Sequence, residues 1–180
     1  MMPQMVIVKV VSAVQMRKLL SLDQSSHTTG YAVFEGDKLL IVGKFTFDDE
    51  DLGVRLEKIR KQIISLIKEF NINEVVFEDI QLQDVAGSKE VGIKTFKILA
   101  EVFGVVYELL TEMGIKHSCV APIVWKSTFK IAGKGRKQEK KMAQEYVNTK
   151  YNLCCTEDEA DAVCIGLHLI KKEEAEFNWD

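Results

Sequence analysis

The sequence predicts an α/β fold in which a five-stranded mixed sheet is flanked by helices. Segments with strand patterns come first in the chain, and segments with helical patterns then alternate with two more strands. Strands joined by short turns pair antiparallel, whereas strands separated by helices pair in parallel. A chain of 180 residues, 47% of them hydrophobic, is long enough to bury the core of one such domain.

Five segments carry a strand pattern, and they are residues 17–23, 30–35 and 38–47 and the runs NEVVFEDI and GIKHSCVAP. In the first segment, Leu20 and Leu22 share one face of the strand, and Ser21 and Asp23 share the other. The turn EGDK joins the second and third segments as a hairpin. The two later runs are short and apolar, which is typical of buried parallel strands.

Apolar residues between these strands recur at the spacing of amphipathic helices. The first helix is predicted from Leu52, Leu56, Ile59, Ile63, Leu66, Ile67 and Phe70. In a second helix, at 89–113, apolar residues cover more than one stripe, so we expect burial both by the sheet and by a second subunit. Pro122 is placed to begin a third helix, which a basic helix at 136–150 and a last helix from Glu157 follow.

Composition limits the class of protein and its compartment. The formal net charge of -3 gives no overall preference for nucleic acid, so only a local basic segment could indicate one. The four cysteines lack the spacing of a zinc site, and we expect reduced thiols in an intracellular protein. No stretch is long enough to span a membrane. We expect residues 1–16 to form an extension or an extra strand before a single domain at 17–175.

The last helix begins in an acidic cluster, most of which has a structural explanation. Thr156 and Glu159 have the spacing of a capping box. Glu157 and Asp158 lie in the first turn, where negative charge suits the helix dipole. Asp161 has no such explanation, because it lies in the second turn beside apolar residues. Asp158 and Asp161 share one helix face, so their charges repel unless a cation lies between them.

Asp23 and Glu78 raise the same question on two strands. Asp23 ends its strand with no lysine or arginine close in sequence, and Glu78 lies within VVFEDI. If these strands pair and the last helix crosses their ends, both carboxylates meet Asp158 and Asp161. Such a cluster favours hard divalent cations such as Mg²⁺, and two ions about 3.5–4 Å apart can promote phosphodiester hydrolysis. The alternative is a surface helix cap and two unrelated acids at strand ends.

Three motifs, in order, resemble those of the RuvC-like Holliday junction resolvases, and the nearest resemblance is to the bacteriophage enzymes. The segment LLSLDQSSHTTGYAVF resembles the family's first motif, in which an Asp ends the first strand. The run VVFEDI is similar to its strand-four glutamate motif, and DEADAVCIGLHL resembles its C-terminal Asp-x-x-Asp-Ala helix. The resemblance covers roughly residues 17 to 170.

The resemblance implies an RNase H-like fold, a homodimer, and cleavage of four-way DNA junctions with Mg²⁺ or Mn²⁺, two ions in each active site. The implied metal ligands and catalytic acids are Asp23, Glu78, Asp158 and Asp161. The segment VWKSTF resembles the one that carries a catalytic or DNA-contacting lysine, here Lys126. A second family lysine would be Lys134, Lys137 or Lys140. A phage enzyme of this kind would work in the cytoplasm of its bacterial host.

The sequence departs from the bacterial members of the family at two places. Gln24 and Ser25 stand where those enzymes usually have Pro-Gly after the first aspartate. Gln81 stands where they carry an aromatic residue that wedges into the junction. Because apolar wedges unstack base steps, its replacement by an amide predicts relaxed sequence specificity for branched DNA.

A basic segment supplies candidates for contact with DNA. Residues 126–150 contain eight basic residues and only two acids. The candidate contacts are Lys126, Lys130, Lys134, Arg136, Lys137 and Lys140. Gly133 and Gly135 would let the loop between them follow a phosphate backbone. The alternative is a solvated helix face with ion pairs one turn apart.

Three other functions compete with junction resolution. A nuclease of the same fold could act on RNA·DNA hybrids or in transposition, and a non-catalytic relic could bind branched DNA. The segment DQSSHTTGYAV also resembles the phosphate loop of actin-like ATPases. Those proteins need a second, duplicated domain, for which 180 residues are too few, so we expect no nucleotide cofactor.

Overall fold

The computed structural model of the protein describes residues 16–81 and 89–177, with side chains in the second helix described from residue 92 onward. Of the expected N-terminal extension, all but Met16 lies outside the described residues. The boundaries of the single domain at 17–175 stay a prediction. In the described part of the chain, no helix is long and apolar enough to cross a membrane.

The described residues form a five-stranded mixed sheet and helices on both of its faces. The elements in chain order are β1 (Lys18–Asp23), β2 (Thr28–Glu35), β3 (Lys38–Thr46), α1 (Leu52–Phe70), β4 (Glu74–Glu78), α2 (Lys89–Glu112), β5 (Lys116–Val120), α3 (Pro122–Thr128), α4 (Arg136–Tyr151) and α5 (Glu157–Phe177). The strand order is β3-β2-β1-β4-β5. The first three strands pair antiparallel, and β1–β4 and β4–β5 pair in parallel, which confirms the predicted fold class.

Strand alternation divides the core into two layers, one on each face of the sheet. Leu20 and Leu22 of β1 pack with α1 and α2. Leu19, with Val76 of β4, packs on the opposite face with α3, α4 and α5. Since successive side chains point to opposite faces, Asp23 and Glu78 belong to the α5 face. The parallel register, which aligns Leu22 with Phe77, makes them neighbours at adjacent strand ends.

Helix α5 lies on the sheet at a separation that only small residues permit. A Cβ on Gly30 would lie 2.0 Å from the carbonyl oxygen of Asp158, and a Cβ on Gly166 would lie 2.4 Å from the ring of Phe34. The Ser21 hydroxyl donates a hydrogen bond of 2.7 Å to a backbone carbonyl of α5. Because Gly30 is also the β2 partner of the last residue of β1, the first turn of α5 is held beside that strand end.

Candidate active site

Asp23 lies at the centre of a cluster of carboxylates. Burial raises the pKa of Asp23 well above its usual range, and the nearby charges of Glu78, Asp161 and Asp158 raise it further. The charge of Lys140 opposes them. The structure therefore brings together the four carboxylates that the sequence predicted, from β1, β4 and the start of α5.

Glu78 is fixed by two neighbours that sequence analysis did not assign to the site. The indole N–H of Trp125, which is 1% exposed, donates a 2.8 Å hydrogen bond to Oε1 of Glu78. The side-chain amide of Gln24 donates to the Glu78 carbonyl at 2.5 Å and accepts from its N–H at 3.1 Å, which extends the β1–β4 pairing. Burial raises the pKa of Glu78, while the Trp125 hydrogen bond and the charges of Lys126 and Lys140 lower it.

Asp161 is the most informative member of the cluster. It is 6% exposed, and its Oδ1 atom is buried with no hydrogen-bond partner. Burial raises the pKa of Asp161 to about 7, with the charges of Glu78 and Asp158 adding to the effect and those of Lys140 and Lys126 opposing it. A buried carboxylate oxygen without a partner is costly, so this atom is suited to a cation ligand.

The other acids at the start of α5 have two kinds of partner: Glu159 caps the helix, and Glu157 and Asp158 pair with Lys140. The N–H and the hydroxyl of Thr156 both donate to Glu159, at 2.6 and 2.8 Å, so half of the predicted capping box forms and Glu159 has a structural role. Asp158 accepts from the Lys140 ammonium at 3.4 Å, and Glu157 pairs with the same ammonium at 3.5 Å. Glu157 therefore lies beside the cluster, and Glu159 is occupied by the cap.

Lys140 is the positive partner that the acidic residues lack in their own sequence neighbourhood. Burial lowers its pKa, but Asp161, Asp158 and Asp23 raise it more, so the net shift is upward. Of the three candidates for the second lysine, Lys134 and Lys137 are exposed, and Lys140 faces the cluster. The sequence signal for this contact is only its place in the basic helix.

The rest of the basic segment lies beside the cluster and on the adjoining surface. Lys126 pairs with Glu139 at 3.0 Å and lies close enough to lower the pKa values of Glu78 and Asp161. Lys130 is exposed just after α3. An open groove of about 780 Å³ runs along the start of α4, and its basic lining residues are Lys134, Arg136, Lys137 and Lys141.

The chemistry of the cluster fits a hard divalent cation. Among residues 16–81 and 89–177, no three His, Cys, Asp or Glu side chains are drawn close enough together to hold a metal ion as they stand. Carboxylates approach one another that closely only at the cost of charge repulsion, which a cation removes. The oxygen-only donors, the orphaned Oδ1 of Asp161 and the raised pKa values of Asp23 and Asp161 all fit Mg²⁺ or Mn²⁺.

Comparison with solved structures shows the same fold in three Holliday junction resolvases. RuvC of Thermus thermophilus in complex with a Holliday junction substrate is 19% identical, with a TM-score of 0.61 over 84% of this chain and 91% of that one. The yeast mitochondrial Holliday junction resolvase is 12% identical, with a TM-score of 0.60 over 86% and 78%. The Fowlpox virus resolvase in complex with Holliday junction DNA is 18% identical, with a TM-score of 0.51 over 86% and 97%.

These likenesses confirm the RNase H-like fold expected from the sequence motifs. The chain shares this fold across most of its length with each of the three resolvases. Neither a scan against protein-family models nor a search of curated proteins gives a match. The function is therefore inferred from the site and the fold together.

Proposed function

We propose that this protein is a divalent-metal-dependent endonuclease that resolves four-way DNA junctions. The observation that carries the proposal is the convergence of Asp23, Glu78, Asp158 and Asp161, with an orphaned buried oxygen on Asp161, at one end of an RNase H-like sheet. The likeness to resolvases solved in complex with Holliday junction DNA supports the choice of substrate.

The four carboxylates would hold Mg²⁺ or Mn²⁺, two ions to each site. Such ions, when bound, supply the charge that activates a water and stabilises the departing 3′-oxygen. Trp125 fixes one oxygen of Glu78, and the other carboxylate oxygen would be the one that binds an ion. Lys140 offsets part of the negative charge at Asp158, and Lys126, whose charge acts on Asp161, would contact a phosphate. The roles of these two lysines rest on the resemblance and on their proximity to the carboxylates.

The DNA-contacting surface would be the groove at the start of α4. Lys134, Arg136 and Lys137 are exposed along this groove, where their charges would meet phosphates. Gly133 and Gly135 have φ angles of 76° and 86°, which lets the loop before α4 turn close to a backbone. Lys130, which does not line this groove, is the weakest of the proposed contacts.

A homodimer would cover the apolar surface that α2 leaves exposed. Val106, Leu109 and Leu110 of this helix are buried against the sheet, as the sequence predicted for one side. Ile93 and Tyr107 are 49% and 51% exposed. Two copies would present two active sites to a symmetric junction. Sedimentation at micromolar concentration as a monomer alone would contradict this part of the proposal.

Gln81 is exposed just after β4 and supplies no aromatic wedge, so we propose cleavage with relaxed sequence specificity. A phage origin, and with it action in the cytoplasm of a bacterial host, stays an expectation from the sequence motifs. The structures compared come from a bacterium, a mitochondrion and a poxvirus, and none of them distinguishes these sources.

The test is a panel of end-labelled substrates incubated with the protein and Mg²⁺. The panel contains four-way junctions with several core sequences, a matched linear duplex and an RNA·DNA hybrid. We expect paired nicks in every junction and little cleavage of the duplex. Preferred cleavage of the hybrid would favour the other RNase H-like nuclease, and junction binding without any cleavage would indicate a non-catalytic binding protein. Cleavage at a single core sequence would contradict relaxed specificity.

A further inference from the structure

Glu139 is a mostly buried carboxylate near the proposed active site that neither the sequence motifs nor the proposed mechanism uses. Its side chain is 13% exposed and lies in the first turn of α4. One oxygen accepts from the Lys126 ammonium at 3.0 Å, and the other accepts from the backbone N–H of Gly133 at 2.9 Å. It therefore joins α3, α4 and the glycine-containing loop between them.

The electrostatics favour an ionised Glu139 despite its burial. Burial raises its pKa, but the Lys126 ammonium and the backbone N–H groups of Gly133 and Lys134 lower it, and the net shift is downward. A carboxylate with charged and backbone donors on both oxygens is geometrically fixed, because each bond restricts a different atom. Its partners are restricted in the same way.

The two partners of Glu139, Lys126 and Gly133, both lie next to parts of the proposed site. Lys126 acts electrostatically on Glu78 and Asp161 from its place beside Trp125, with its ammonium 5.4 Å from the indole ring. Gly133 lies in the turn that leads to Arg136 and the groove, and a glycine restricts the backbone of this loop little. Without Glu139, the long side chain of Lys126 and the loop would each be free to move.

We infer that Glu139 is a positioning residue, which holds Lys126 at the edge of the carboxylate cluster and fixes the loop at the start of the DNA-contacting groove. The inference rests on the proposed nuclease function for its effect on cleavage. The hydrogen bonds of Glu139 to Lys126 and Gly133, here called the tether, do not depend on that function. A purely structural role would be to stabilise the start of α4, where negative charge is favourable in any case.

The experiment compares Glu139→Gln, Lys126→Ala and the double variant with the wild-type protein. Glu57→Gln, which removes an exposed carboxylate paired with Lys61 on α1, is the matched control. The first measurement is hydrogen exchange at the backbone amides of residues 131–135 in the protein alone. The second is the single-turnover rate of junction cleavage at saturating protein, with the melting temperature measured for every variant.

We expect Glu139→Gln to speed exchange in this loop and to slow cleavage by about 10-fold or more, with junction affinity within about 2-fold of wild type. The loop is tested separately by exchange, and the effect of Glu139 on the cleavage rate passes through Lys126, so the double variant should cleave at the rate of Lys126→Ala alone. Glu139→Asp should restore part of the rate, and Glu57→Gln should match wild type in both measurements.

An unchanged cleavage rate in Glu139→Gln would overturn the inference, as would an equal loss in the wild-type and Lys126→Ala backgrounds. Unchanged exchange at residues 131–135 would overturn the tether. If the wild-type protein fails to cleave any junction, the proposed function fails instead. The exchange measurement would then still decide whether Glu139 holds the loop.

Discussion

Asp161 combines deep burial, an unpartnered oxygen and three acidic neighbours, and these features have opposite effects on stability and on cation binding. The ionised form is disfavoured in the folded protein, because burial and the charges of Glu78 and Asp158 both oppose it. The same surroundings attract a divalent cation once the carboxylates are ionised. Because ionised carboxylates bind metal and protonated ones do not, affinity for Mg²⁺ should fall as the pH drops below about 7.

Asp161→Asn is expected to stabilise the protein in the presence of chelator, in a pH-dependent manner. The folded-state pKa of about 7 lies above the ordinary value of 3.8, so the wild-type protein loses stability as the pH rises between these two values. The amide does not titrate, so the advantage of the variant should grow across this range and level off above it. Thermal unfolding at pH 8 should show a melting temperature higher by roughly 3 °C or more.

The matched control for this measurement is Asp48→Asn, because Asp48 lies outside the carboxylate cluster, in the loop after β3. It should change the melting temperature little, and equally at pH 5 and pH 8. A destabilised Asp161→Asn protein at pH 8, or an advantage that shrinks as the pH rises, would show that Asp161 is not held in an unfavourable charge state.

Trp125→Phe tests the hydrogen bond that fixes Glu78. The substitution keeps an aromatic side chain in the core but removes the N–H that donates to Oε1. With Glu78 free to rotate, cleavage of a four-way junction should slow by about 10-fold, and a higher Mg²⁺ concentration should be needed. Ile63→Val is the control, since it trims a buried side chain on the opposite face of the sheet. Cleavage equal to wild type in Trp125→Phe would count against this role.

At the level of single residues, the sequence predicts the acids better than their partners. Asp23 and Glu78 could be found because each stands on a strand where a charge is unusual, and Asp158 and Asp161 because their spacing puts them on one helix face. Trp125 and Gln24 give no such signal. A buried tryptophan is ordinary in a core, and the hydrogen bonds of both side chains depend on the pairing of distant segments.

Among the elements, α5 matters most to the site, because its first turn must lie against the end of β1. Gly30 provides the space, and a Cβ there would overlap the carbonyl oxygen of Asp158. Gly30→Ala should therefore push α5 outward, lower the melting temperature by several degrees and abolish junction cleavage. Thermal unfolding and the cleavage assay measure both effects.

Gly104→Ala on α2 is the matched control for the stability of Gly30→Ala, because among the described residues no atom beyond its own stretch of helix lies within 4 Å of the added Cβ. In a helix, alanine is favoured over glycine by about 1 kcal/mol, so this variant should be at least as stable as wild type. Equal behaviour of the two variants would mean that the close approach at Gly30 is not needed for the site.

The elements themselves were largely predictable because periodicity and end signals agree. The apolar spacing marks α1, and Pro122 begins α3 as expected. The start of β2 is the main difference, since the strand begins at Thr28 and not at residue 30. Its first two residues are threonines that pair with the end of β3. Because threonine is polar, these two residues fall outside the apolar alternation from which the strand was predicted.

For the whole molecule, the net charge of -3 conceals a basic surface beside an acidic site. Junction affinity should fall steeply with salt, because each phosphate contact contributes about -0.9 to the slope of log K against log salt concentration. Lys137→Ala, in the groove at α4, should reduce that slope by about 1 unit. Lys61→Ala on α1 is the control and should leave it unchanged. A slope that is the same in all three proteins would exclude the groove as the contact surface.

Junction cleavage by the wild-type protein and by Asp161→Asn, each with Mg²⁺ and with chelator, joins the carboxylate cluster to the proposed function in one measurement. The wild-type protein should introduce paired nicks only with Mg²⁺. The variant should bind the same junction with at least wild-type affinity and leave it intact, because it retains the basic surface and loses a metal ligand. Cleavage by the variant at the wild-type rate, or cleavage by the wild-type protein in chelator, would show that the cluster is not the metal-dependent active site.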